Sequence, residues 1–184
     1  KIKILYAMGN LNFLKNNIEK KINEEIYNLL IDLKNIELWV KIHPRSNISF
    51  NNYRHENLKI FDHNTDISSL IDLSNIVLTT HSGVLFQSIM QGKKNILYDS
   101  WKNKIKNSWT IFDKTPCVQN ISNYNDLKNE IFQFKNSKNY SKNEIEKFYK
   151  KFVSGNTPLN GSIANKYIDN INYLLKKESN MKCI

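Results

Sequence analysis

Long apolar runs are missing from this chain, and so are most of the short motifs that announce a chemistry. No stretch of 18 or more apolar residues occurs in its 184, so nothing reads as a membrane span. Two cysteines, Cys117 and Cys183, stand far apart with no CxxC or Cys/His spacing around either. They provide no disulfide framework and no zinc site, and lone thiols suit a reducing, cytoplasmic compartment. Arginine is almost absent, with only Arg45 and Arg54, although the formal net charge is +10. Lysines spread along the whole length carry that charge, beside 29 asparagines and an excess of isoleucine. This is a compositional bias and not an arginine-rich patch interleaved with aromatics, so nucleic acid is not expected as a partner. The charge still favours anionic ligands and the anionic inner face of a membrane, where peripheral association is the expectation. The five glycines form no GxGxxG, no P-loop and no GxSxG, which removes the dinucleotide fingerprint, the ATPase cradle and the nucleophile elbow. The chain begins with Lys and shows no basic-then-apolar leader, so it reads as a piece of a longer protein or a processed one.

What is present is the pattern of an α/β domain. Hydrophobic content of 40% and charged content of 24% are ordinary for a globular protein, and the length suits one domain over 1–184. Residues 1–8 form a short apolar run, broken at Gly9-Asn10. Ile18, Ile22, Ile26, Leu29, Leu30 and Leu33 then recur at helical spacing within 17–34. A second strand, 36–42, must stop at His43-Pro44, because Pro44 lacks a donor and holds His43 extended. A weak strand at 58–61, a short helix at 65–73, a strand at 76–79, a helix at 84–91 capped by Gly92 and a strand at 95–98 follow. Residues 101–122 read as loop, and helical patterns return at 124–135, 142–153 and 162–176. Strands alternating with helices through short connections predict a Rossmann-like parallel sheet with helices on both faces.

Ligands of such sheets bind outside the carboxyl ends of the strands, where strand order reverses. Three segments bring unusual residues to that edge: Gly9-Asn10, His43-Pro44-Arg45, and Thr79-Thr80-His81-Ser82-Gly83. Ser82-Gly83 opening a helix is an anion site, with outward backbone donors and a glycine that admits a phosphate to the main chain. The plainer reading makes Ser82 an N-cap and Gly83 a packing residue. His43 either donates a hydrogen bond to a phosphate oxygen or supplies charge as imidazolium; the plainer reading is a strand-end histidine bonded to nearby backbone. His81 lines the same pocket, whereas His55 and His63 fall in loops and read as solvated. The residues alone thus imply a phosphate-bearing or nucleotide-like ligand.

The segment Lys41-Ile42-His43-Pro44-Arg45, followed about 35 residues later by 76–99 (IVLTTHSGVLFQSIMQGKKNILYD), resembles the C-terminal domain of bacterial GT-B glycosyltransferases. The likeness is to the capsule polysaccharide biosynthesis group and to CDP-glycerol glycerophosphotransferases, and it covers roughly residues 1–100. A weaker likeness at Asn160-Gly161-Ser162 is to a turn before the last helix of these families. The resemblance implies a donor-nucleotide-binding half of a two-domain enzyme, with a CMP-, CDP- or UDP-linked group as substrate and no further cofactor or metal. It implies that His43 contacts the donor phosphate and helps the nucleotide leave, as the catalytic residue. Ser82 and Gly83 would hold the phosphate, Thr80 and His81 would line the pocket beside Gly9 and Arg45, and Asn160, Gly161 and Ser162 would add a contact. Gln87 stands where these families commonly carry a glutamate for a sugar hydroxyl, Asn160 stands for an aspartate, and Lys94-Asn95 replaces Pro-Val. The polysaccharide acceptor, and most of the base chemistry, would belong to an N-terminal domain that this length does not accommodate. Two other classes compete: a nucleotide-sugar 2-epimerase-like enzyme on a similar fold, and a non-catalytic module that binds a partner through Trp101, Trp109 and the basic tail.

Overall fold

The computed structural model of the chain describes residues 1–9, 16–46, 50, 52–100, 112, 115–134 and 140–154. They fall in two compact units, one within Lys1–Ser141 and one beginning at Lys142. The first unit is built on a six-stranded sheet. Its strands are β1 (Ile2–Ala7), β2 (Ile36–Lys41), β3 (Leu58–Phe61), β4 (Ile76–Thr79), β5 (Lys94–Tyr98) and β6 (Gln119–Ile121). They lie in the order β3-β2-β1-β4-β5-β6, and every neighbouring pair is parallel. Helices α1 (Asn16–Asp32), α2 (Ile67–Leu73), α3 (Val84–Met90) and α4 (Tyr124–Phe132) connect or follow them.

The core explains why these segments chose strands. Alternate residues of a strand face opposite sides of a sheet. On one side Ile4, Tyr6, Leu38, Val40, Ile76, Leu78, Ile96 and Tyr98 pack with Ile22, Ile26 and Leu29 of α1 and Leu127 and Ile131 of α4. On the other, Leu5, Trp39 and Val77 pack with Leu70 and Ile71 of α2, and Val84 of α3 joins them. Strands covered on both faces read as near-continuous apolar runs, as Ile4–Ala7 of β1 and Ile76–Leu78 of β4 do in the sequence. The doubly covered Rossmann-like sheet is therefore as expected.

Local chemistry sets the ends of the helices. Asp66 caps α2 by accepting from the backbone N–H groups of Ser68 (3.2 Å) and Ser69 (2.9 Å). Asn123 caps α4 by accepting from Asp126 N–H at 3.0 Å. Gly92 takes φ 68° just past α3, a left-handed geometry that glycine adopts without a Cβ penalty, as its predicted role as a cap requires.

One expected loop contains a strand. β6 lies inside 101–122, but it has only three residues and two of them are exposed, so no periodicity marks it. Pairing of Ile96, Leu97 and Tyr98 with Gln119, Asn120 and Ile121 decides it. The second unit opens with α5 (Lys142–Tyr149), which runs into a π-helical turn at Lys150–Ser154. The helix expected at 162–176, along with Trp101 and Trp109, lies outside the described residues. Among the described residues no helix is long and apolar enough to cross a membrane.

Ile26 is fully buried where α1 meets the sheet. Ile26→Ala should destabilise the chain by about 2–5 kcal/mol, read from the shift of a urea denaturation midpoint.

Candidate functional site

The winding of the sheet reverses between β1 and β4. From β1 the chain steps outward to β2 and β3, then returns to place β4 on the other flank. Ala7 and Thr79 are register partners, so Met8-Gly9 and Thr80-His81 leave the sheet side by side. There the two main chains touch. A Cβ built on Gly9 would lie 2.5 Å from the His81 carbonyl oxygen and 2.8 Å from both His81 N and Thr80 Oγ1. No side chain fits, and Gly9 is what lets the two rims close together.

The His43 turn stands on the next strand. Met8 N–H donates to the Lys41 carbonyl at 3.1 Å, which ties the end of β2 to that of β1. Ser46 N–H closes the turn on the His43 carbonyl at 2.9 Å, and Arg45 N–H donates to His43 Nδ1 at 3.0 Å. A ring nitrogen that accepts cannot carry the proton, so the neutral ring is the Nε2–H tautomer. Burial, followed by the nearby charges of Arg45 and Lys41, holds the His43 pKa below the ordinary imidazole value. A lowered value favours the neutral ring. Of the two ligand-binding forms open to the sequence, hydrogen-bond donor and imidazolium, this geometry favours the donor at neutral pH. The plainer reading is also realised in part, since Nδ1 does bond local backbone.

Lys41 is buried, and its ammonium donates to the Asp62 carbonyl oxygen at 2.5 Å. Burial lowers its pKa, and the Asp62 charge opposes that shift. Arg45 is exposed at the same rim.

After β4, Thr80 is fully buried and His81 exposed. Ser82 Oγ accepts from Val84 N–H at 3.3 Å. The N-cap of α3 is Gly83, not Ser82, at φ −63° and ψ −12° with no side-chain cap bond. Those angles are open to any residue, and a Cβ there would meet nothing within 4 Å. Gly83 is thus not the packing residue of the plainer reading: neither backbone geometry nor a neighbour calls for glycine, and the space before the turn is open. Gln87 follows one helical turn later and is partly buried.

The fold therefore gathers Gly9, His43, Arg45, Thr80, His81, Ser82 and Gly83 on three consecutive strands, β2, β1 and β4, with Gln87 one turn behind. Asn160, Gly161 and Ser162 lie outside the described residues. The sequence reading overlooked a buried polar group beneath the same edge. Glu19 and Asn23 of α1 are both buried. Ser46 Oγ donates to Glu19 Oε1 at 3.2 Å, and Tyr6 Oη donates to Asn23 Oδ1 at 2.9 Å. Burial raises the Glu19 carboxyl pKa against the Ser46 hydrogen bond. Tyr6 is pushed far above the usual phenol range by burial and the Glu19 charge, with the Thr80 hydroxyl acting in the opposite sense. The available signal was positional: 19 and 23 lie four apart and fall on the inward stripe that contains Ile22 and Ile26.

A cavity of about 540 Å³ opens at the opposite edge of the sheet, lined among others by Ile2, Leu33, Ile131 and Phe132. None of the candidate residues borders it.

An all-parallel sheet wound in this order, with its crevice between β1 and β4, is a Rossmann-like arrangement, the architecture of each half of a GT-B fold. The profile of the CDP-glycerol:poly(glycerophosphate) glycerophosphotransferases matches residues 12–171, and the chain belongs to that family. Among solved structures, the wall teichoic acid polymerase TagF, as a variant soaked with CDPG, superposes with a TM-score of 0.57 at 19% identity, covering 97% of this chain and 43% of TagF. A UDP-N-acetylglucosamine 2-epimerase from Listeria monocytogenes gives 0.55 at 14%, covering 80% of this chain and 38% of its own. The glycotransferase of kitacinnamycin gives 0.51 at 10%, covering 80% and 37%. These likenesses concern the fold, and the chain spans less than half the length of each. Comparison with curated proteins found no match.

Two measurements check this geometry. Gly9→Ala should cost about 1–3 kcal/mol in chemical denaturation, because the His81 backbone must move to admit the methyl. In an NMR titration the His43 ring should gain its proton only below the ordinary imidazole value of about 6.5, leaving it neutral at pH 7 and above.

Proposed function

We propose that this chain is the donor-binding half of a glycerophosphotransferase, and that it holds a CDP-linked polyol phosphate at the carboxyl ends of β2, β1 and β4. The family match over 12–171 carries the reading. The crevice at the point of strand reversal supports it, since this is where open α/β sheets bind nucleotides. The formal charge of +10 suits a donor bearing two phosphates, and suits a surface polymer made at an anionic membrane face. That polymer, teichoic or capsular, would be presented by the part of the enzyme that this chain does not span.

The chemistry follows from the donor. A hydroxyl of the acceptor attacks the phosphorus that bears the polyol; a new P–O bond forms and the bridging P–O bond to the nucleoside monophosphate breaks. The acceptor loses its proton to a base, and the bridging oxygen leaves as a phosphate oxygen of CMP. Negative charge grows on that leaving oxygen. Fixed donors that already face it stabilise the transition state without reorganising. His43 fits this role through Nε2–H, because Arg45 N–H occupies Nδ1 and fixes the tautomer. Arg45 and the buried Lys41 add positive potential behind it, and the open face of Gly83 leaves room for phosphate to approach the main chain. Gln87, Thr80, His81 and Ser82 complete the wall, with Asn160, Gly161 and Ser162 proposed as a further contact.

Calorimetric titration with CMP, CDP, CDP-glycerol and UDP tests the reading. The cytidine ligands should bind in preference to UDP, and His43→Ala should weaken that binding about tenfold, the equivalent of one charge-assisted hydrogen bond. Gly83→Ala should leave stability within about 0.5 kcal/mol, since its Cβ meets no neighbour, yet lower affinity by narrowing the approach to the main chain. Tight cytidine binding that neither variant changes would place the nucleotide elsewhere.

A further inference from the structure

We propose that Glu19 is a positioning residue for the donor site: through Ser46 it pins the His43 turn to α1 and so fixes the direction of the His43 Nε2–H. The inference rests on the donor-binding reading for its effect on ligand affinity, while the tether itself stands on geometry alone.

The turn is short. Ser46 N–H closes it on the His43 carbonyl at 2.9 Å, and Arg45 N–H sets the ring through Nδ1 at 3.0 Å. Both bonds lie within the turn and would travel with it. The Ser46 hydroxyl bond to Glu19 Oε1, at 3.2 Å, reaches out of it to another element. Its anchor is firm: Glu19 is buried in the first turns of a 17-residue helix held on the sheet by Ile22, Ile26 and Leu29.

A buried carboxylate in this place carries a desolvation cost that an apolar residue would avoid. Core packing does not ask for it, because the rest of the inward stripe of α1 is apolar apart from Asn23. Asn23 is part of the same web: it accepts from Tyr6, the β1 residue that precedes the Gly9 rim by three positions. The Glu19 charge also reaches Tyr6. One helical face thus holds both the end of β1 and the His43 turn, and it does so beneath the crevice and not at the ligand. An arrangement of this kind sets the aim of a hydrogen-bond donor before the ligand arrives, which removes an ordering cost from binding.

The test follows the ring itself. Long-range proton–nitrogen NMR spectra of the chain at pH 8 should show His43 as a single Nε2–H tautomer. In Glu19→Ala and in Ser46→Ala that tautomer should persist, because the Arg45 bond travels with the turn, but the His43 ring signals should shift and broaden as the ring loses its fixed direction; Glu19→Gln, which keeps an oxygen that accepts from Ser46, should resemble the parent. CDP-glycerol affinity should fall roughly tenfold in the two alanine variants, and the double variant should be no weaker than either single one. Unchanged His43 ring signals in both alanine variants, or losses that simply add in the double variant, would overturn the tether. If the parent chain binds no CDP-glycerol, the donor reading fails and the ring spectra still decide the tether. Should Glu19→Ala prove unfolded by near-ultraviolet circular dichroism, Ser46→Ala, which removes one hydroxyl from a partly buried turn, decides it with Glu19→Gln as the control.

Discussion

Everything at the carboxyl edge depends on the contact between two lengths of main chain, Met8-Gly9 after β1 and Thr80-His81 after β4. Two parallel neighbours with no direct crossover between them send their chains to opposite faces of the sheet. α1, which follows β1, packs on one face, and α3, which follows β4, contributes Val84 to the other. The divergence leaves a crevice whose floor is backbone. Gly9 sets its depth, because any Cβ there would stand within 2.8 Å of His81 and Thr80 atoms. The His43 turn is registered to the same floor by the bond from Met8 to Lys41, so the third rim is built on the other two.

Polarity in the crevice follows from partial burial. His43 is partly buried and feels the charges of Arg45 and Lys41, so its own protonation would add a third positive charge there. The protein answers by keeping the ring neutral and committing Nδ1 to the backbone, which leaves one directed donor. A pre-aimed neutral donor beside fixed positive charge is well matched to a phosphate oxygen that gains charge as a bond breaks. The chain belongs to the family of CDP-glycerol:poly(glycerophosphate) glycerophosphotransferases, and open α/β sheets bind their ligands at a crevice so placed.

Much of this was legible residue by residue. The His-Pro pair must end a strand, since proline removes a donor and restricts the residue before it. Gly92 had to cap α3, because the chain turns there with φ 68°. The apolar runs of β1, β2 and β4 marked interior strands before any partner was known. Other features had no local signal. β6 is three mostly exposed residues that become a strand only by pairing with β5. Glu19 had only its place on the inward stripe of α1 to mark it, and nothing in its neighbours says that the side chain meets Ser46, 27 residues away. Gly83 was legible as a glycine of interest, but its position as the N-cap and the open space beyond it were not.

By itself, then, the sequence determined the class of fold and the three segments at the carboxyl edge of its sheet. Hydrophobic period, proline stops and helix caps act over a few residues and are written in the local order of side chains. Tertiary structure decided which segments stand side by side, which histidine nitrogen is left to donate and which carboxylate lies buried beneath it. Those outcomes depend on strand order, solvent exclusion and contacts between residues distant in the chain, and such quantities exist only once the sheet has assembled.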